Sequence, residues 1–460
     1  MTSTRTSHHR LTATGDAFLD EAPRGRGEPD HSGAEPSRAT ASGLDQDWRA
    51  RSEPIHVMIV NDHLGYANGA VHGPSRWLAG VLPVFDPAKV QASVTILGAP
   101  HPFAAELERQ GGHITFLNRS KWDPRALHDL ITLVRERRIE VLHVMGMKGL
   151  IVGRLAARYV GCRVIVNLRD MTPVPQPLRF ALRSLAPWTD LALGCSLPVA
   201  RFATEHFRLP PEKTLALNNA IPVECYKAAS ADGRRRVRAE LGLHDADRAI
   251  GVIGRLVPVR NHEAVLYAMQ EVVERVDGAR LIIVGDGERL PELRALARSL
   301  GLDQVVTFAG HRSDMADVLA ALDVVAGPCL GEGRSLALLE AVATATPVVG
   351  FDADGVRDVV THGTSGFLVP KSDTKALAEA LVQVLKDKAL YQRLVAGCVA
   401  VRDSFGIEHQ VRKLENVYLA VVLGRPPADF PQILAEDNRD DASEGAPGHD
   451  GHAGPAEAAL

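Results

Sequence analysis

The chain has 460 residues, long enough for two or more domains. It is 45% hydrophobic and 23% charged, the balance of a water-soluble globular enzyme. Lys and Arg number 52 against 56 Asp and Glu, a net charge of -4, which argues against a nucleic-acid binder because such proteins carry a basic excess.

The five cysteines (Cys162, Cys195, Cys225, Cys329, Cys398) are odd in number and show no CxxC spacing. Neither a disulfide framework nor a zinc site is expected, and a reducing cytosol fits best. The N-terminal stretch lacks the apolar core of a secretory signal, and no apolar run reaches membrane-spanning length. The expected location is therefore cytoplasmic, with peripheral contact at the inner face of a membrane left open.

Residues 1–52 are rich in Ser, Thr, Gly, Arg, Glu and Asp and carry little apolar periodicity. Such a segment buries too little surface to offset its ordering entropy, so a disordered tail is expected. His8 and His9, with His449 and His452 near the other end, read as solvated low-complexity sequence rather than metal ligands. From 53 to 222 short apolar runs alternate with helical patterns. The runs IHVMIV (55–60), SVTILG (93–98), ITFLN (114–118), VLHVMG (141–146), RVIVNL (163–168) and DLALGCS (190–196) have strand length. Helices are expected between them from Pro74 to Leu82, Pro124 to Arg138 and Leu150 to Tyr159.

The pattern restarts over 223–404. A basic stretch, GRRRVRAELG (233–242), reads as the solvated face of an entering helix. The strand runs are RAIGVIG (248–254), RLIIVGDG (280–287), VVTFAG (305–310), VVAG (324–327), PVVGFD (347–352) and GFLVP (366–370). Helices are expected from Asn261 to Arg275, Arg289 to Leu300 and Ser335 to Thr344. Residues 405–423 form a last helical pattern, and 424–460 return to a tail-like, disordered composition. The fold class is α/β, with two doubly wound, Rossmann-like domains facing a cleft and ligands at the carboxyl ends of their strands.

Two segments could carry chemistry. Gly254-Arg255-Leu256-Val257-Pro258-Val259-Arg260 follows directly on the first strand of the second domain. Two guanidiniums five residues apart in such a loop can converge on one diphosphate, and the helix beginning near Asn261 points positive dipole at the same place. Surface ion pairing is the competing reading. The second segment, Gly331 to Ala341, holds Glu332 and Glu340. Eight residues of helix span roughly 12 Å, beyond the about 5–5.5 Å of a retaining glycosidase pair. The two carboxylates are therefore expected on different parts of one extended ligand, with the amides of Gly333, Arg334, Ser335, Leu336 and Ala337 meeting phosphate or sugar oxygens. By spacing alone, Glu340 could equally be an exposed helical residue.

The order GRL…R, IVGDGE, Glu-x7-Glu, ATPVV and GVRDVVTHGTSGFLVP resembles the retaining glycosyltransferases of family 4, fold type GT-B. The resemblance covers about residues 55 to 423 and is strongest from Gly251 to Pro370. It implies an acceptor-side first domain, a nucleotide-sugar donor domain, and a terminal helix (405–423) that packs back on the first. It implies that Arg255 and Arg260 bind the diphosphate, Glu332 the donor sugar and Glu340 the ribose. Gly310, His311 and Arg312 match the loop beside the base, and Gly69 or Gly73 the glycine that approaches phosphate. The implied reaction is glycosyl transfer from a nucleotide sugar, by preference UDP-linked, to a small molecule, glycolipid or polysaccharide acceptor, with retention and without a metal or other cofactor.

The sequence departs from that pattern in three places. Gly333-Arg334-Ser335 stands where the family has Gly-Phe-Gly. Ala345 replaces a turn glycine, and the first-domain strand that often ends in His-Asp ends here in Arg169-Asp170. Arg169, Asp170 and, from a neighbouring strand, His143 are the acceptor-side candidates. A core role for His143 competes. These departures leave a non-catalytic nucleotide-sugar binder or partner protein open, and a nucleotide-sugar epimerase is a further alternative. A dinucleotide oxidoreductase is disfavoured, because VGDGERL (284–290) lacks the last glycine of the fingerprint and is not on the first strand of its unit.

Overall fold

The computed structural model describes residues 41–66, 71–120, 122–331 and 333–435. Two all-parallel sheets organise them. The first contains β1 (Ile55–Asn61), β2 (Val90–Ile96), β3 (His113–Phe116), β4 (Val141–Val144), β5 (Arg163–Leu168), β6 (Leu191–Gly194) and β7 (Thr214–Ala216), in the order 3-2-1-4-5-6-7. The second contains β8 (Arg248–Ile253), β9 (Ala279–Val284), β10 (Val306–Gly310), β11 (Val324–Gly327), β12 (Val348–Phe351) and β13 (Gly366–Val369), in the order 10-9-8-11-12-13. In each sheet the order reverses beside the first strand, at β1/β4 and at β8/β11, where open α/β sheets bind ligands.

The strands read as unbroken apolar runs because helices cover both sheet faces. In β1, Val57 and Ile59 enter one core and Met58 and Val60 the other, as the two-residue period requires. The expected strands and helices are all present, with ends shifted by a few residues. The edge strand β7 leaves no sequence signature, since three residues are too few to show a period.

The helix Ile407–Val422 packs on the first-domain core through Ile407, Val411, Leu414 and Tyr418. Trp77 Nε1 donates to Gln410 Oε1 at 2.7 Å, tying this helix to the helix Gly73–Val81.

Both tail boundaries need correction. Residues 1–40 and 436–460, with His8, His9, His449 and His452 among them, lie outside the described residues. Ala41–Ala50, however, is helical, with Leu44 buried in the first-domain core and Trp48 Nε1 donating to Asn416. At the other end Phe430–Ala435 is helical and buries Phe430 and Ile433. Each fully buried side chain of this kind contributes about 2 kcal/mol. That helps to order short segments whose overall composition is polar.

Candidate functional site

The site is built on the carboxyl end of β8. Here two backbone turns touch: a Cβ on Gly285 would fall 2.0 Å from the Gly254 carbonyl oxygen, so only glycine fits. The Leu256 amide donates to Asp286 O at 3.0 Å and holds the turns together. Arg255, thus positioned, donates through Nη1 to the Tyr66 hydroxyl of the first domain at 3.0 Å. The Arg260 guanidinium lies over Gly254, with Nε and Nη1 each 3.7 Å from where a Cβ would stand. Asn261 adopts the left-handed conformation, and its side chain donates to Pro328 O at 3.2 Å. Both cationic residues thus stand at the strand end that the sequence indicated, on a loop bonded to the one after β11.

That second loop leads into the helix Leu336–Ala343. Glu332 and, in the first domain, Gly69 lie outside the described residues. Gly333 is buried against the first domain: a Cβ there would fall 2.6 Å from Cys195 Sγ. Arg334 turns its side chain away from the helix start. Its Nη1 donates to Asn219 O at 3.0 Å, its Nε to Asp358 O at 3.2 Å, and its guanidinium stacks on Phe405 at 5.0 Å. Asn219 answers by donating to Arg334 O at 2.7 Å. Arg334 therefore fastens this loop to the segment entering the second domain. The Ser335 amide donates to Gly355 O at 3.3 Å, which removes it from the amides expected to meet a ligand. Leu336 and Ala337 open the helix, where amides have no intrahelical acceptor. Leu336 Cδ1 lies 3.9 Å from the Cβ position of Gly73, so the first-domain glycine faces this helix start.

Glu340 is not an exposed helical residue; it is 2% exposed. Its Oε1 accepts a hydrogen bond from Arg76 of the first domain, and Arg76 also donates to the Tyr226 hydroxyl at 3.3 Å. The Glu340 charge raises the Arg76 pKa, while burial raises that of Tyr226. Glu340 Oε2 is buried and meets no hydrogen-bond partner among the described residues. A cavity of about 320 Å³ opens beside the pair, lined by Arg76, Tyr226, Ser313 and Asp314 among others. Neither Arg76 nor Tyr226 stands out in the sequence. A single arginine on an amphipathic helix looks like a solvated face, and nothing local marks its partner.

At the end of β10, Gly310 has a positive φ of 67° and accepts from the Gly285 amide at 2.8 Å. His311 is exposed. The Arg312 side chain is held by Asp314 and Glu240, so this loop offers its backbone rather than that guanidinium.

In the first domain, His143 is a core residue. The Asn167 amide donates to its Nε2 at 2.8 Å, which leaves Nδ1 protonated and 2.7 Å from the Tyr418 hydroxyl. Burial, then the charge of Arg169, pulls its pKa down to about 3. Buried and neutral, with both nitrogens used, it is withdrawn as an acceptor-side group. Asp170 is exposed, and its Oδ1 accepts from the Thr172 amide at 3.0 Å. Arg169 is half-buried, and its carbonyl oxygen is 3.4 Å from the Cβ position of Gly333. Among the described residues no three His, Cys, Asp or Glu side chains gather into a metal site, and no helix is long and apolar enough to cross a membrane.

Two Rossmann-like parallel sheets, with Arg255, Arg260 and Glu340 on the second and Gly73 and Arg76 on the first, make the GT-B architecture. Residues 247–387 match the family Glycosyl transferases group 1. An Escherichia coli relative, UDP-Gal:alpha-D-GlcNAc-diphosphoundecaprenol alpha-1,3-galactosyltransferase, is 26% identical over 314 residues, covering 66% of this chain and 81% of its own. A D-inositol 3-phosphate glycosyltransferase of Corynebacterium aurimucosum is 27% identical over 259 residues, covering 54% of this chain but only 61% of its own length. Among solved structures, Anabaena HepE in complex with UDP-glucose superposes with a TM-score of 0.68 at 21% identity, over 80% of this chain and 99% of that one. The second domain is thus similar in sequence to group 1 glycosyltransferases, and the chain shares the two-domain fold of the HepE structure.

Proposed function

We propose that this chain transfers a glycosyl unit from a UDP-sugar to an acceptor hydroxyl, with retention at the anomeric carbon. The observation that carries the reading is Glu340: a buried carboxylate with one oxygen bound by Arg76 and the other unpartnered among the described residues, on the helix whose first turn faces Gly73. A buried acceptor oxygen without a donor is costly, and a ribose hydroxyl supplies the missing bond.

Arg255 and Arg260 then hold the diphosphate. As the bond between the anomeric carbon and the phosphate oxygen breaks, its electron pair leaves with UDP and negative charge grows between the two guanidiniums. They act where they stabilise the transition state more than the ground state. The acceptor oxygen attacks from the same face, and its proton passes to a departing phosphate oxygen. Glu332 is assigned the sugar hydroxyls. With two guanidiniums supplying the positive charge, turnover is expected to persist in a chelator.

The relatives act, by name, on a diphosphoundecaprenol-linked sugar and on an inositol phosphate. A small phosphorylated molecule and a glycolipid are accordingly the first acceptors to try, the second reached from the cytoplasmic face of a membrane. The test is incubation with UDP-sugars and such acceptors, followed by proton NMR of the product. Acceptor-dependent UDP release with the donor's anomeric configuration kept supports the proposal. An inverted product contradicts retention, and absence of transfer contradicts the enzyme.

A further inference from the structure

Arg169 is the residue immediately after β5, and its backbone lies against the loop that carries Glu332. Its carbonyl accepts from Cys195 Sγ at 3.3 Å, and the same sulfur lies against Gly333. Its guanidinium lies 4.6 Å from the centroid of the Trp77 ring. Stacking occupies the flat face of a guanidinium and leaves the N–H edge to donate. Burial pulls the Arg169 pKa down to about 10, so the side chain stays cationic at neutral pH.

Among the described residues no carboxylate pairs with it. The neighbouring Asp170 is turned to the Thr172 amide. Asp62, just after β1, accepts from the amides of Lys148 and Gly149 at 2.9 and 2.7 Å. His143, close enough to feel the Arg169 charge, is neutral. By contrast Arg76 and Arg312, on the same cleft edges, each hold a carboxylate. A partly desolvated cation without a counter-ion is unfavourable unless a ligand supplies one.

We infer that Arg169 recognises an oxyanion, a carboxylate or a phosphate, carried by one of the two reactants at the sugar end of the cleft. This rests on the transferase reading of the site. The anion belongs either to the donor sugar or to the acceptor, and both present the same bidentate chemistry. Arg169 is thus a specificity residue, standing where the family pattern has a histidine.

The test uses the full chain, Arg169→Gln and Arg169→Lys, with circular dichroism to establish folding. In one calorimetric arm UDP-saturated protein is titrated with inorganic phosphate. In the other, UDP-glucuronate is compared with UDP-glucose. One charge-assisted hydrogen bond corresponds to about tenfold in affinity. The expected result is that one anionic probe binds wild type about tenfold tighter than Arg169→Gln, with Arg169→Lys between. Preference for phosphate places the anion on the acceptor, and preference for UDP-glucuronate places it on the donor sugar. Equal affinities of wild type and folded Arg169→Gln for both anionic probes would overturn the inference. Failure of wild type to bind UDP counts against the transferase reading, and titration of UDP-free protein with inorganic phosphate still reads the difference between wild type and Arg169→Gln.

Discussion

Arg76 of the first domain and Glu340 of the second form an ion pair between the two sheets, 264 residues apart in sequence. Glu340 is 2% exposed and Arg76 about a third, so the pair is desolvated on one side only. Breaking a fully buried pair costs about 3–5 kcal/mol, and solvent around Arg76 reduces that. Arg76→Ala is expected to lower stability by roughly 1–3 kcal/mol. It should also weaken UDP binding about tenfold, because Glu340, proposed to hold the ribose, loses its ion-pair partner. Arg76→Lys should fall between. Denaturant unfolding and calorimetry check both; an unchanged stability and affinity would remove Arg76 from the donor site.

Gly285 tests the packing that places Arg255. Its Cβ position lies 2.0 Å from one backbone oxygen and 2.8 Å from a backbone carbon of Gly254. Gly285→Ala must push the two turns apart, at a cost of about 1–3 kcal/mol for overpacking. Diphosphate affinity should fall with stability, since the strain is delivered to the residue before Arg255. A melting curve and a UDP titration on the same sample decide this. Full affinity in the alanine variant would mean that Arg255 is not positioned by this contact.

Buried histidines set the acid limit. His143 is held near a pKa of about 3 and His262 near about 4, each chiefly by burial. Both lie below the ordinary value, so the unfolded chain takes up these protons first. Stability is therefore complete above about pH 6.5 and falls as the pH drops toward 4, by up to roughly 1.4 kcal/mol per pH unit for each histidine. His143→Gln should flatten that slope while lowering stability at neutral pH, because the bond to Tyr418 or that from Asn167 is lost. Unfolding midpoints across about pH 4–8 check the sign. Stability rising toward acid would contradict it.

Strand runs and helices are legible in the sequence because parallel sheets leave unbroken apolar segments and helices leave a 3.6-residue stripe. Arg255 and Arg260 are legible as candidates because they follow a strand, whereas Gly73, the first residue of its helix, is reached only through the resemblance and only as an alternative to Gly69. What stays hidden depends on contacts distant in sequence. Arg76 and Tyr226 meet Glu340 only once the chain has folded. Arg334 reads as a substitution within a ligand loop until Asn219 and Phe405 hold it. His143 stands at a strand end like a functional group, yet Asn167 and Tyr418 enclose it. The short helix Ala41–Ala50 is masked because Leu44 and Trp48 are sparse apolar residues in a polar stretch.

Everything proposed for the cleft requires that it bind a nucleoside diphosphate through the strand end that carries Arg255. Calorimetric titration with UDP, GDP, ADP and NAD, repeated on Arg255→Ala, is the plainest check. UDP is expected to bind in preference to the others, and the variant to lose at least about tenfold in affinity while keeping its melting temperature. Absence of binding to any nucleoside diphosphate by the folded wild type, or equal binding by Arg255→Ala, would contradict it.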